Sequence, residues 1–277
     1  MKVVAGIVLF NPTLNRLKEN IVAISSQVDE LIFFDNGSKN IRDIEKLIKK
    51  MRIKGKVIYS ESNGGIAYAL NRISQLAIQE GFDWLLTLDQ DTVVFPGLIK
   101  EYSKKIEDLP HLGQLTCDFI DRNRKEKGNK KYDAHAEEVK YCITSGALLN
   151  LNAYQKTDGF DEYMFIDKVD DEMCCALRKA GFKTYKIGIC GFIQEIGHLT
   201  KHHFLYKTVY TNNYPPIRYY YMSRNSLYIA KKYPKEEKQI KYLMNNFKLL
   251  CKVMLYEKNK REKLKAILKG TYEGIIV

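Results

Sequence analysis

In the first ninety residues one pattern recurs four times: a short apolar run stops at a polar cluster. Val3 to Phe10 closes on Asn11-Pro12, Leu31 to Phe34 on Asp35-Asn36-Gly37-Ser38, Val57 to Tyr59 on a stretch ending Asn63-Gly64-Gly65, and Trp84 to Leu88 on Asp89-Gln90-Asp91. Between these runs, Leu14, Leu17, Ile21 and Ile24, then Ile44, Leu47 and Ile48, then Leu70, Ile73, Leu76 and Ala77 recur at helical intervals. Near-continuous apolar strands must be covered on both faces. Alternation with helices therefore predicts a mostly parallel sheet between helical layers.

In such a sheet the carboxyl ends of the strands share one edge, so the four polar clusters converge on one crevice. A crevice of that kind holds a nucleotide, with carboxylates as acceptors for a base or a ribose hydroxyl. Asn63-Gly64-Gly65 opens a helix, whose N–H groups favour a phosphate; the same residues also serve simply to turn the chain and cap the helix. Asp89 and Asp91 stand two apart on a strand and so point the same way. Two carboxylates on one side, with room for substrate phosphates, suit Mg²⁺ or Mn²⁺; an acidic turn is the alternative.

Beyond Pro96 the pattern changes. Residues 98–106 are expected to be helical, 112–120 strand-like, 121–138 an exposed polar loop, 172–180 helical, and 182–191 one or two short strands. The expected organisation is a catalytic domain over 1–225, divided into a nucleotide half (1–95) and an acceptor half (96–225), with a basic helical extension over 226–277. The chain carries a net charge of +12, and the span Lys231 to Glu273 holds thirteen Lys and Arg against five Glu. Such an excess implies an anionic partner. Phe247-Lys-Leu-Leu-Cys-Lys-Val-Met-Leu255 mixes apolar and basic positions, which suits either an anionic bilayer surface or a helix packed on the catalytic domain. Six scattered cysteines without a Cys-x-x-Cys pair argue for a reducing compartment and against a zinc site. No apolar run reaches the length of a spanning helix or a secretion signal, so the expectation is a cytoplasmic protein, peripheral at most.

Taken in order, Val8-Leu-Phe-Asn-Pro12, Phe34-Asp-Asn-Gly-Ser38, Asn63-Gly-Gly-Ile-Ala67 with Asn71, and Leu88-Asp-Gln-Asp-Thr92 resemble the successive motifs of family 2 glycosyltransferases of the GT-A fold, the bacterial rhamnosyltransferases above all. Ser145-Gly146-Ala147, Gly159-Phe-Asp-Glu162, Phe165-Ile-Asp-Lys-Val-Asp170, Gln194-Glu-Ile-Gly197 and Arg224-Asn225 continue the resemblance across nearly the whole chain. It implies that Phe10, Asn11 and Asp35 hold the base and ribose of a nucleotide sugar, and that Asn63, Gly65 and Asn71 lie near the ribose and diphosphate. Asp89 would serve ribose and metal, Asp91 the metal, and Arg224 a phosphate. It also implies an inverting transfer, with rhamnose from dTDP-rhamnose as the sugar and a cell-surface polysaccharide or lipid-linked oligosaccharide as acceptor. Asp170 matches the base of the family best, with Asp171 second. Where the family often has a metal-binding His, this chain has Gln194; His198, directly after Gly197, is the candidate replacement.

Two other readings compete. Leu85 to Val93 also matches the first motif of haloacid dehalogenase-type phosphatases, with Asp89 as nucleophile and Asp91 as acid/base, although there the motif ends the first core strand. A nucleic-acid-binding protein would explain the charge and the nineteen tyrosines, but specific recognition motifs are missing.

Overall fold

A computed structural model describes residues 1–123, 132–195, 197, 200–204 and 207–277. These divide into two compact units, one of Met1–Phe165 with Val169–Glu195, the other of Ile166–Lys168 with Ile196–Val277.

The first unit contains β1 (Val3–Leu9), α1 (Leu14–Ile24), β2 (Glu30–Asp35), α2 (Ile41–Met51), β3 (Gly55–Tyr59), α3 (Ile66–Gln79), β4 (Trp84–Asp89), β5 (Val93–Val94) and α4 (Leu98–Ile106). It continues through β6 (Leu112–Asp121), β7 (Ala136–Glu138), β8 (Ala147–Asn150), the single turn α5 (Leu151–Tyr154), α6 (Val169–Lys179) and β9 (Lys183–Gln194). Among the described residues nine strands form one sheet, in the order β3-β2-β1-β4-β8-β6-β9-β5, with β7 on β9. The first four strands are parallel, as their apolar composition predicts. Chain order runs outward from β1 to β3 and then restarts with β4 on the other side of β1. Ligands bind at the carboxyl ends of strands at such a reversal. Register sharpens the point: Leu9 lies opposite Asp35 and Val8 opposite Asp89, so two carboxylates flank the end of β1.

The core is the one the periodicity predicts. Leu17, Ile21 and Ile24 of α1 pack on Ile7, Leu9, Phe33 and Leu86. Beyond β4 the sheet departs from the expected parallel pattern, because β8 is antiparallel to both β4 and β6. Residues 182–191 are not one or two short strands but part of the twelve-residue β9, held along the length of β6 with register shifts that let the two stay paired. The expected polar loop 121–138 ends in a strand, β7, antiparallel to β9; residues 124–131 of that loop lie outside the described residues.

The second unit has a hairpin, β10 (Thr200–Phe204) with β11 (Lys207–Thr211), and three helices: α7 (Pro216–Lys232), α8 (Gln239–Tyr256) and α9 (Lys260–Ile276). A β-carbon on Gly270 would meet Tyr220 O at 2.3 Å, so this glycine lets α9 lie directly against the backbone of α7. At the α8–α9 turn, the Tyr219 hydroxyl and Lys263 Nζ both donate to Glu257, at 2.5 and 2.8 Å, and all three residues are buried. Among the described residues no helix is long and apolar enough to cross a membrane.

Candidate active site

The segment Asp89–Thr92 is fixed from several sides. Asn20 donates from α1 to the carbonyls of Asp89 (2.9 Å) and Thr92 (2.7 Å). Ser145 Oγ accepts from Asp89 N at 3.0 Å and shares a 2.6 Å hydrogen bond with Thr92 Oγ1. Gln90 reaches across to the end of β1: its Oε1 accepts from Phe10 N at 2.8 Å, and its Nε2 donates to Phe10 O at 3.4 Å. Gln194, from the end of β9, donates to Asp89 Oδ2 at 2.5 Å. Asp91, two residues on, is half-buried. Burial raises its carboxyl above the ordinary range, with the charge of Glu195 adding to the effect.

The neighbouring strand end is equally ordered. Asp35 is only 3 % exposed; its Oδ2 accepts from Ser38 N at 3.0 Å, and its Oδ1 has no hydrogen-bond partner. A buried carboxylate oxygen without a partner is costly unless something supplies a donor. Asn11 takes a left-handed conformation (φ 49°), donates its backbone N–H to Ser38 Oγ and accepts from Lys39 N, both at 2.8 Å. The β1 and β2 ends thus form one stitched rim.

Three expectations change here. Three amides at the entry to α3 are engaged within the protein: Gly64 N donates to Asn36, Gly65 N to Asn63 Oδ1, and Ile66 N to Phe165 O. Gly65 has φ 91°, and a β-carbon there would meet Phe165 O at 2.6 Å, so glycine is required for close packing. Asn71 has no capacity left for a nucleotide. Its oxygen accepts from Tyr154 Oη and Phe160 N, and its nitrogen donates to Phe160 O and Glu162 Oε1, all at 2.8–2.9 Å. Arg224 is buried in the second unit, donating to Asn225 Oδ1 at 2.9 Å, with its guanidinium 4.8 Å from the ring centre of Tyr221.

At the start of α6, Asp170 lines a small pocket with Thr87, Gln114, Cys142, Thr144, Phe160 and Met173, and its Oδ1 accepts from Asp171 N. Asp171 is also half-buried, whereas Glu172 is fully buried. Hydrogen bonding to Cys174 and burial push the Cys142 thiol well up, with Asp170 and Asp171 adding their charge. Directly before α6, Phe165, Asp167 and Lys168 all have positive φ (58°, 63° and 69°), a backbone that costs non-glycine residues about 1–2 kcal/mol each. Within the second unit, Arg218 grips Asp167 with two donors, at 2.7 and 3.3 Å. Asn225 donates to the carbonyls of Ile166 (2.9 Å) and Asp167 (2.8 Å). Arg218 and Asn225 of α7 therefore secure this bend.

A divalent cation is implied by the motif set. Among the described residues no three His, Cys, Asp or Glu side chains gather to hold a metal on protein ligands alone. Mg²⁺ and Mn²⁺ sites served by phosphates need only one or two carboxylates. Asp91 and Asp89 fit that requirement: they are two carboxylates two residues apart at the end of β4, and burial of Asp91 disfavours its ionised form, which a cation would offset. His198 lies outside the described residues. His202 is engaged within its hairpin, 2.8 Å from Thr211 Oγ1.

Asn36 and Gln90 lie in the polar strand-end clusters, where the sequence assigned them no individual role; Asn20 was not foreseen, and its trace in the sequence is a polar residue at a core-facing position of α1.

A sheet whose first four strands are parallel and end in a stitched polar crevice, then continues through an antiparallel β8, defines a GT-A glycosyltransferase fold. The same architecture appears in Staphylococcus aureus TarS 1-349 in complex with UDP-GlcNAc (TM-score 0.61, 15 % identity, 98 % of this chain and 82 % of that one). It appears also in GalNAc-T7 with UDP, GalNAc and Mn²⁺ (TM-score 0.59, 13 % identity, 72 % of this chain and 45 % of that one). TarS 1-349 with UDP matches over 81 % of this chain, which spans 64 % of that fragment (TM-score 0.55, 16 % identity). The family model for Glycosyl transferase family 2 matches residues 6–185, and the chain belongs to that family. Over 98 % of its length it is 25 % identical to the dTDP-rhamnosyl transferase RfbF of Shigella flexneri, covering 94 % of that protein. The phosphatase reading falls away with the family match and with β4 as the fourth strand in the chain, not the first.

Proposed function

We propose that this glycosyltransferase moves rhamnose from dTDP-rhamnose, with inversion, onto a cell-surface polysaccharide or lipid-linked precursor. The observation that carries the donor half is the buried, unpartnered Asp35 Oδ1 beside the β1 terminus, in the sheet edge that also bears Asp89 and Asp91. The imide N–H of a uracil or thymine ring would complete that carboxylate. The choice of dTDP-rhamnose is supported by the name of the Shigella relative.

Asp91, with Asp89 beside it, would hold Mg²⁺ or Mn²⁺ against the diphosphate; the presence of Mn²⁺ in GalNAc-T7 supports this assignment. When bound, the ion would supply Lewis-acid neutralisation of charge on the departing diphosphate. Gln194 steadies Asp89 through its hydrogen bond. Asp170 would accept the proton of the acceptor hydroxyl as that oxygen bonds to the anomeric carbon. The bond to the nucleoside diphosphate breaks on the opposite face and carries the electron pair away, which inverts the centre.

The test is thermal denaturation with dTDP, UDP and GDP, each with Mn²⁺ or with EDTA. The midpoint should rise with dTDP plus Mn²⁺ and lose that rise in EDTA and in Asp35→Asn. No metal-dependent stabilisation by any of the three would count decisively against the reading.

A further inference from the structure

Helix α8 has two apolar faces. One is buried: Tyr242, Asn246 and Val253 point into the second unit, and Leu249 and Leu250 pack with them against Tyr219 and Ile267. The other faces water. Ile240, Met244, Phe247, Met254 and Leu255 are all more than half exposed, Phe247 at 67 % and Leu255 at 57 %. Their intervals of four, three, seven and one residues place them on one arc of the helix. Single exposed apolar side chains need no explanation, but a stripe along an eighteen-residue helix does.

The charge beside the stripe has one sign. Lys241, Lys248 and Lys252 follow the same helical repeat along its border. No acid lies within α8; of those at its ends, Glu237 is buried, accepting from Tyr242 Oη and lying 3.6 Å from Lys241, Glu257 is held by Tyr219 and Lys263, and Glu236 is half-buried. Helix α9 also exposes apolar side chains, Leu268, Tyr272, Ile275 and Ile276, beside Lys265 and Lys269; its border carries acids too, with Glu262 exposed and Glu273 3.8 Å from Lys269.

We infer that the outward faces of α8 and α9 form an interaction surface that docks on an anionic lipid bilayer. The apolar stripe enters the boundary between headgroups and acyl chains, and the lysines reach lipid phosphates from its edge. A second copy of the chain is the poorer occupant, because a symmetric pairing of α8 brings identical lysine columns together. The surface lies on helices remote in sequence from Asp35, Asp89 and Asp170, and its test needs no substrate, so its failure would leave the donor assignment untouched.

The full chain is sedimented with vesicles of neutral phosphatidylcholine, or with about 30 % phosphatidylglycerol added. Binding to the anionic vesicles should exceed binding to the neutral ones by about tenfold and weaken in high salt. Phe247→Glu with Leu255→Glu should cut it by about tenfold while the thermal midpoint holds, since both side chains are exposed. Lys241→Gln, Lys248→Gln and Lys252→Gln together should bring anionic binding toward the neutral level. Absence of anionic vesicle binding by the unaltered chain, or binding indifferent to Phe247→Glu with Leu255→Glu, would overturn the inference. So would a concentration-dependent dimer that this double variant abolishes in the absence of any vesicle binding.

Discussion

Gln194 Nε2 lies 2.5 Å from Asp89 Oδ2, joining the end of β9 to the end of β4 across 105 residues of sequence. The side chain at the place where the family often has a metal ligand here acts on a carboxylate. It neutralises no charge, but it holds Asp89 Oδ2 in a short hydrogen bond. Removing a partner of this kind commonly costs about 10–100-fold in metal affinity or activity. Gln194→Ala should weaken Mn²⁺ binding in the presence of dTDP by that margin, measured by calorimetry, and lower kcat/KM with it. Unchanged metal affinity would reduce the bond to a purely structural one.

Asp170 and Asp171 separate by environment. Asp170 lines the pocket with Thr87 and Gln114 and receives the backbone N–H of Asp171. Asp170→Asn is nearly isosteric and removes the proposed acceptor of the hydroxyl proton, so kcat should fall by about 10²-fold or more. Affinity for dTDP, read by calorimetry, should stay within about twofold, because the base does not touch the nucleotide. Asp171→Asn should leave most of kcat; the reverse ranking would move the base by one residue.

Gly65→Ala tests the packing of α3 against the Phe165 turn. The added carbon meets a backbone oxygen and two atoms of the ring residue under 3 Å, on a backbone with positive φ. A loss of about 2 kcal/mol or more is expected, about 4 °C in the unfolding midpoint. Gly81→Ala is the control: its φ is 73° with nothing within 4 Å, so it carries the backbone strain alone and should cost less.

The Glu257–Lys263 pair sits 3 % and 4 % exposed, with Tyr219 donating to the same carboxylate. Lys263→Ala leaves a buried charge uncompensated, at about 3–5 kcal/mol. Lys263→Met with Glu257→Gln removes both charges and should recover much of that loss in a denaturant titration. If the double variant is as unstable as the single, the pair contributes attraction beyond mutual neutralisation.

The first half of the fold was readable because strand burial and helix periodicity are local. Leu17, Ile21 and Ile24 announce their buried face, and Asp35 and Asp89 end apolar runs wherever those runs fold. The antiparallel β8 was not readable: a four-residue apolar strand carries no mark of direction. The roles of polar residues were the least legible. Asn71 looked available to a nucleotide, yet its partners Phe160 and Glu162 lie 89 and 91 residues away. Arg224 suggested a phosphate contact, and in the fold it is buried and donates to Asn225 Oδ1. An amide or guanidinium declares what it can bond, and only the fold decides which partner arrives first.

The bend before α6 sets a limit on how this protein can be divided. Residues Ile166–Lys168 belong with the C-terminal helices, while the residues on either side of them belong with the sheet. A chain cut after Glu195 would retain every strand of the large sheet and the whole of α6. It would lack Arg218 and Asn225, the side chains that hold Ile166 and Asp167. The helical tail thus reaches back to residues that precede α6 in the chain: a cut at residue 195 removes the hydrogen-bond partners that Arg218 and Asn225 supply to Ile166 and Asp167.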